Sequence, residues 1–364
     1  MLFVEDANGA RAKTLWQLLY YFRTSEASDP RDKIFAFLGL AEGQAGEQPL
    51  LADYGMTSHD LYANVGLRIL QESQSLLILA QCTKKASHPQ LPSWIPDWTA
   101  SETSQAQPME WCILFEHLFS AQGSIPASPM VPDGSLLMIQ AIKVDTITAT
   151  KILDVTTLPD IVALILDTFL ASLSVRGSKI EKTSASRRWV HGLLPTEISD
   201  LMGQRVMRTA MGDVIISWSD LPIQKGVSLS TCQRFRDEDL NLLNEFLAQV
   251  KAGVDIETIV QNPNPLYSAL FTSITIKQVQ GNQLLVLDQY SVGLGPQEAQ
   301  EGDEIWIMAS SPVPIVLRPI ESNASDGVAP DRLHQLIGHC YIDGIMDGEA
   351  AENYEEKLET VRVA

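Results

Sequence analysis

His339, Tyr341, Asp343, Asp347 and Glu349 form the densest cluster of titratable side chains in this 364-residue chain. If Gln335 to Ile342 runs as a strand, His339, Tyr341 and Asp343 fall on one face, because side chains alternate with period two. An imidazole titrates near neutrality, so with a carboxylate beside it this face could work as a general acid/base pair. The same residues could equally form a solvated outer face with a structural tyrosine. Their mixed nitrogen and oxygen donors could also hold a divalent metal. Asp343-Gly344 and Asp347-Gly348 are both turn dipeptides, which favours the structural reading; no metal site is expected.

A second group of candidates is Arg31, Trp94, Asp97 and Trp98. Trp94 and Trp98 sit in the proline-punctuated stretch LPSWIPDW, where paired tryptophans either anchor a loop on a core or wall a substrate pocket. Asp97 could cap a turn or pair with Arg31, and a buried pair of that kind would not by itself indicate catalysis. His117 stands among Leu114, Phe115, Leu118 and Phe119 and reads as a core or boundary histidine. No nucleophile elbow, phosphate loop, dinucleotide fingerprint or HExxH is present. Gly293-Leu294-Gly295-Pro296 is glycine-rich but opens no helix, and reads as a turn.

Composition narrows the classes further. The formal net charge of −19, with 45% hydrophobic and 20% charged residues, is that of an acidic globular chain. Nucleic acid and anionic membrane surfaces both call for a basic footprint, so neither is an expected partner. Cys82, Cys112, Cys232 and Cys340 have no CxxC spacing, so neither a zinc site nor a redox pair is indicated. The start MLFVEDANGARAK lacks a secretory pattern. No apolar run reaches the roughly 18 residues of a membrane span. A cytoplasmic protein with no cofactor is expected.

The elements that must position these residues fall into two kinds. Leu15, Leu18, Leu19 and Phe22 share a helical face within Thr14 to Phe22. Asp29 and Pro30 suit the start of a second helix, with Asp32 in its first turn and Gly39 at its end. Thr57 or Ser58 can cap a third, Leu61 to Gln71. Leu136 to Thr148 reads as a pair of strands. Leu158 to Leu173, Ile198 to Trp218 and Glu238 to Lys251 read as helices. Asn262 to Pro265 then stops them, and Tyr267 to Val279 and Gln283 to Tyr290 follow as strands across a turn at Gly281-Asn282.

Glu304 to Ala309, Pro314 to Leu317 and Leu333 to Ile342 are three short apolar runs bounded by turn residues, with no room for helical crossovers between them. The expected architecture is α+β. It has a mainly helical region over 1–124 and an antiparallel sheet or small barrel over 135–349 with a helical insertion at about 155–255. An acidic tail follows over 350–364, helical or unstructured.

Three stretches, in order, carry a resemblance. They are SDPRDKIFAFLGLA at Ser28 to Ala41, LPSWIPDWT at Leu91 to Thr99, and the run from GLGP through GD and VPIVLRP to IGHCYIDGIMDGE. Together they resemble the C-terminal part of fungal heterokaryon-incompatibility (HET) domain proteins, weakly so between Thr150 and Pro265. The family's serine-tyrosine-tryptophan-glycine-like and IDAICINQ-like signatures have no counterpart here, so most of the N-terminal signalling domain is expected to be missing. The resemblance implies a recognition or interaction module in fungal non-self recognition, with a protein partner. The alternative is a repurposed, cofactor-independent enzyme of fungal secondary metabolism, a cyclase or isomerase. Such an enzyme would close an apolar pocket on a small molecule and leave little motif trace.

Overall fold

In the computed structural model the described residues are 14–23, 25–41, 50–73, 75–82, 90–99, 118–126, 131–133, 136–152, 282–289, 292–320 and 332–364, with short pieces between 208 and 258. Helix α1, Leu15–Tyr21, opens with a capping box in which Thr14 and Gln17 exchange side-chain bonds to each other's backbone N–H. Leu15, Leu18 and Leu19 are buried as their spacing requires. Phe22 lies at the helix end instead, half-exposed, and stacks on Phe37 with ring centroids 5.3 Å apart.

The SDPRDK segment starts helix α2, Asp32–Leu38, through a preceding turn. The Asp29 carboxylate accepts the Arg31 backbone N–H at 3.0 Å, and the Asp32 N–H reaches the Asp29 carbonyl at 3.0 Å. Helix α3, Ser58–Ser73, is capped by Thr57, whose hydroxyl accepts the Asp60 N–H at 3.1 Å.

Tyr62 on α3 ties the two proline-rich motifs together. It is fully buried, donates its hydroxyl to the Pro30 carbonyl at 2.7 Å and meets Trp98 edge-on at 5.2 Å. One turn later Gly66 faces Ile95. A Cβ there would lie 2.7 Å from Ile95 Cδ1, so the buried Ile95 side chain would have to shift to admit it.

The sheet is organised around one long strand. Strands β1 (Val131–Asp133) and β2 (Leu136–Ile152) are followed by a separate two-stranded ribbon, β3 (Val214–Ile216) with β4 (Cys232–Arg234). Then come β5 (Asn282–Leu287), β6 (Val292–Pro296), β7 (Glu304–Met308), β8 (Ile315–Ile320), β9 (Leu333–His339), β10 (Tyr341–Ile342) and β11 (Glu359–Val363).

β2 pairs with β1, β11, β7 and β5 along its 17 residues. From β2 the pairings run through β7, β8, β9 and β11 and return to β2. A second arm leads from β2 through β5 and β6 to β10. Two register shifts in β2, between Lys143 and Asp145 and between Ile147 and Ala149, bend it so that it serves both arms.

The α+β architecture expected from the sequence is present, and the sheet is mixed because β11 runs parallel to β9. Four local expectations are corrected. Leu136 to Thr148 is not a pair of strands but part of β2, because the break at Val144 is a bulge and not a turn. Gly293-Leu294-Gly295-Pro296 is not a turn but the body of β6. Packing requires Gly293, where a Cβ would lie 2.7 Å from the Tyr341 carbonyl oxygen, and a Cβ on Gly295 would displace the Leu285 side chain, whose Cδ1 would lie 2.5 Å away. Ile198 to Trp218 does not run through as helix, since Val214–Ile216 is strand β3. The acidic end is more than a short helix or an unstructured tail. After two short 3₁₀ turns, Glu359–Val363 forms β11, with Val361 and Val363 buried. Leu158 to Leu173, Tyr267 to Val279, His117 and Cys112 lie outside the described residues.

One apolar core unites helices and sheet, from Leu15 and Leu61 to Ile305, Val316 and Val363. Backbone bonds cross between the two regions: Leu76 N–H to the Ser310 carbonyl, Ser93 N–H to Ala364, and Ser120 N–H to Met346.

Candidate functional site

The most concentrated group of charges in the described structure lies where β2, β7 and β9 meet. Glu304 is the first residue of β7, and its side chain is 2% exposed. Its Oε1 receives Lys143 Nζ of β2 at 2.7 Å and an Arg332 guanidinium nitrogen at 3.0 Å. Its Oε2 accepts the Trp306 indole N–H at 3.1 Å and lies 3.2 Å from His334 Nε2 of β9. Burial alone would raise the Glu304 pKa. The hydrogen bonds from His334 and Lys143, with the charges of Lys143 and Arg332, outweigh it and hold the carboxyl at about 2.

The bulge in β2 makes this arrangement possible. Lys143 pairs across to Trp306 and Asp145 to Ile305, so the extra residue sends side chains two positions apart to opposite faces. Lys143 therefore joins Glu304 and Trp306, which share a face of β7. Asp145 turns away, and its carboxylate accepts the backbone N–H groups of Thr146, Asp288 and Gln289. Next to it, buried Asp303 holds Arg318 through two bonds, at 2.8 and 2.9 Å, and accepts the Gln300 N–H. No sequence motif marks Glu304, Lys143, His334, Arg332 or Trp306. The available signal was a lone carboxylate opening the otherwise apolar run EIWIM.

The residues singled out from the sequence are placed as follows. His339 ends β9 and is fully buried, which pushes its pKa down to about 4 and keeps the ring neutral. Tyr341 begins β10 and donates to Asp343 at 3.3 Å. The expected single strand face does not form. Gly338 takes φ +152°, Cys340 steps out to bond the Pro314 carbonyl, and the chain changes partner from β8 to β6. His339 thus stands opposite Ile315, and Tyr341 opposite Leu294.

Trp94 and Trp98 are buried in the core. Asp97 Oδ1 accepts the Thr99 N–H at 3.0 Å and the Thr99 hydroxyl, so it caps a turn. Arg31 grips Asp29 with two bonds, at 2.9 and 2.7 Å, donates to the Tyr54 and Met56 carbonyls, and lies 5.2 Å over the Tyr54 ring. Arg31 thus stitches the α2 start to the loop before α3. The structure gives Trp94, Trp98, Asp97 and Arg31 structural partners throughout.

Asp347 receives Arg234 of β4, whose guanidinium lies 5.1 Å over the Phe119 ring, and so docks the ribbon on the turn after β10. In that turn Gly348, at φ +91°, passes against Gly123 so closely that a Cβ would lie 2.6 Å from the Gly123 Cα. Among the described residues no group of His, Cys, Asp and Glu is arranged to hold a metal ion. No helix among them is long and apolar enough to cross a membrane.

Comparison with known proteins agrees with this architecture. Residues 238–360 match the family described as Het-6 beta-barrel domain. The chain is 23% identical over 374 aligned positions to heterokaryon incompatibility protein 6, OR allele, of Neurospora crassa, an alignment that takes in 91% of this chain. The chain spans about half (50%) of that relative's length. No solved structure matches. The matched residues hold β5 to β10 and the start of β11, while β2, to which both arms of the sheet attach, precedes them. In residues 238–360 the chain thus resembles the Het-6 beta-barrel domain, and along nearly its whole length it resembles a heterokaryon incompatibility protein.

Proposed function

We propose that this chain is a recognition module in fungal non-self recognition, acting in the cytoplasm on a protein partner. The observation that carries the reading is the likeness to heterokaryon incompatibility protein 6 over nearly the whole chain. The internal chemistry is consistent with it. The buried carboxylates Glu304, Asp303 and Asp145 are each met by partners within the chain, and His339 is buried and neutral. Groups held in this way shape a scaffold and are not poised to transfer protons.

The test is genetic. Two fungal strains identical except at this locus, one carrying this sequence and the other a divergent allele, are fused. The heterokaryon is expected to grow poorly or die, and to recover when the locus is deleted from one parent. Normal growth of the mixed heterokaryon would contradict the proposal.

A further inference from the structure

The geometry points to an oxyanion-binding site on the solvent side of the Glu304 cluster, formed by Lys143 and Arg332 and suited to a phosphoryl group. Both cationic heads rest on the same oxygen, Glu304 Oε1, at 2.7 and 3.0 Å, so they are held side by side. Glu304 is ionised and cancels one of the two charges, which leaves a net positive spot fixed by a buried anchor.

Both heads reach solvent: the Lys143 side chain is 35% exposed and that of Arg332 is 59% exposed. An ammonium carries three donors and a guanidinium five. One contact to Glu304 therefore leaves each with donors for a second anion. The cluster also contains an unmet polar atom. His334 Nδ1 is buried with no hydrogen-bond partner among the described residues, although its Nε2 faces Glu304. The chain as a whole carries −19, so its general field repels anions and a bound oxyanion has to be held by local donors.

The same chemistry would take a phosphorylated side chain of a partner or a free phosphate, and the experiment separates them. The full chain is titrated calorimetrically at low ionic strength with inorganic phosphate, then with a short phosphoserine peptide. The Arg332→Gln and Lys143→Gln variants are run alongside, their folding checked by thermal melting. Saturable phosphate binding is expected, weakened about tenfold by either substitution and abolished by both. Added sodium chloride should weaken it. Tighter binding of the peptide than of phosphate assigns the site to a phosphorylated partner, and equal binding assigns it to free phosphate. Absence of saturable binding up to millimolar phosphate, or binding unchanged in both variants, overturns the proposal.

Discussion

Two of the carboxylates that cations grip among the described residues differ in where they lie. Asp29, at the start of α2, pairs with Arg31 at the surface, where the two side chains are 30% and 27% exposed. Glu304, at the start of β7, is surrounded by Lys143, Arg332, His334 and Trp306 and is almost wholly buried. Both carboxyls are held at about 2. Water competes for the first pair and screens it, so its contribution to stability is small. The second cannot lose a partner without leaving charge and donors stranded between strands. The Asp29 pair shapes a turn, whereas the Glu304 cluster joins β2, β7 and β9, which are distant in sequence.

That contrast can be broken by substitution. Glu304→Leu strips an acceptor from the buried Trp306 N–H and from His334, and should lower unfolding free energy by about 3 kcal/mol, measured by urea titration. Lys143 and Arg332 can turn to water, which keeps the loss from being larger. Gly348→Ala forces a left-handed backbone and drives a Cβ against Gly123, at a cost of about 2 kcal/mol by the same measurement.

A smaller effect should appear in the pH dependence. His339 has its folded pKa depressed from 6.5 to about 4, so the unfolded chain takes up a proton that the folded chain refuses. Its effect is absent above pH 6.5, and stability falls as pH drops from 6.5 toward 4. A His339→Leu variant should lose that slope and keep the acid limb below it. The smallest effect belongs to Asp29→Asn, which should shift the melting temperature only slightly at low salt and not at all at high salt.

The sequence made much of the sheet legible and little of the cluster. The runs at Glu304, Pro314 and Leu333 announced β7, β8 and β9 because apolar residues bounded by turn dipeptides are a local signal. β11 was hidden, because ETVRV follows an acidic stretch and its burial depends on β2 and β9 from elsewhere in the chain. β6 reads locally as a turn because its two glycines answer a close approach of Tyr341 and Leu285, which no local rule records.

The expected His339, Tyr341 and Asp343 face failed on a single break, at Gly338 to Cys340, where the strand changes partner. Lys143, Glu304 and His334 come together only through the β2 bulge and strand pairing, so spacing could not link them. The lone carboxylate before IWIM was the one visible clue. Of the three family motifs only the first has a local partner, Asp29 on Arg31; Trp98 of the second meets Tyr62 of α3, and Gly348 of the third meets the distant Gly123, so the motifs are legible by their residue types and order.

The most direct test of Glu304 as the buried charge on which the sheet depends is urea unfolding of wild type and Glu304→Gln at pH 7 and at pH 3. The Glu304 pKa is depressed from 4.5 to about 2 in the fold, so its stabilising effect is complete above 4.5 and is lost as pH falls from there through 2. Glu304→Gln is expected to be less stable at pH 7, by about 2 kcal/mol, with the gap narrowing at pH 3. Equal stability at pH 7, or a gap that does not change with pH, would contradict it.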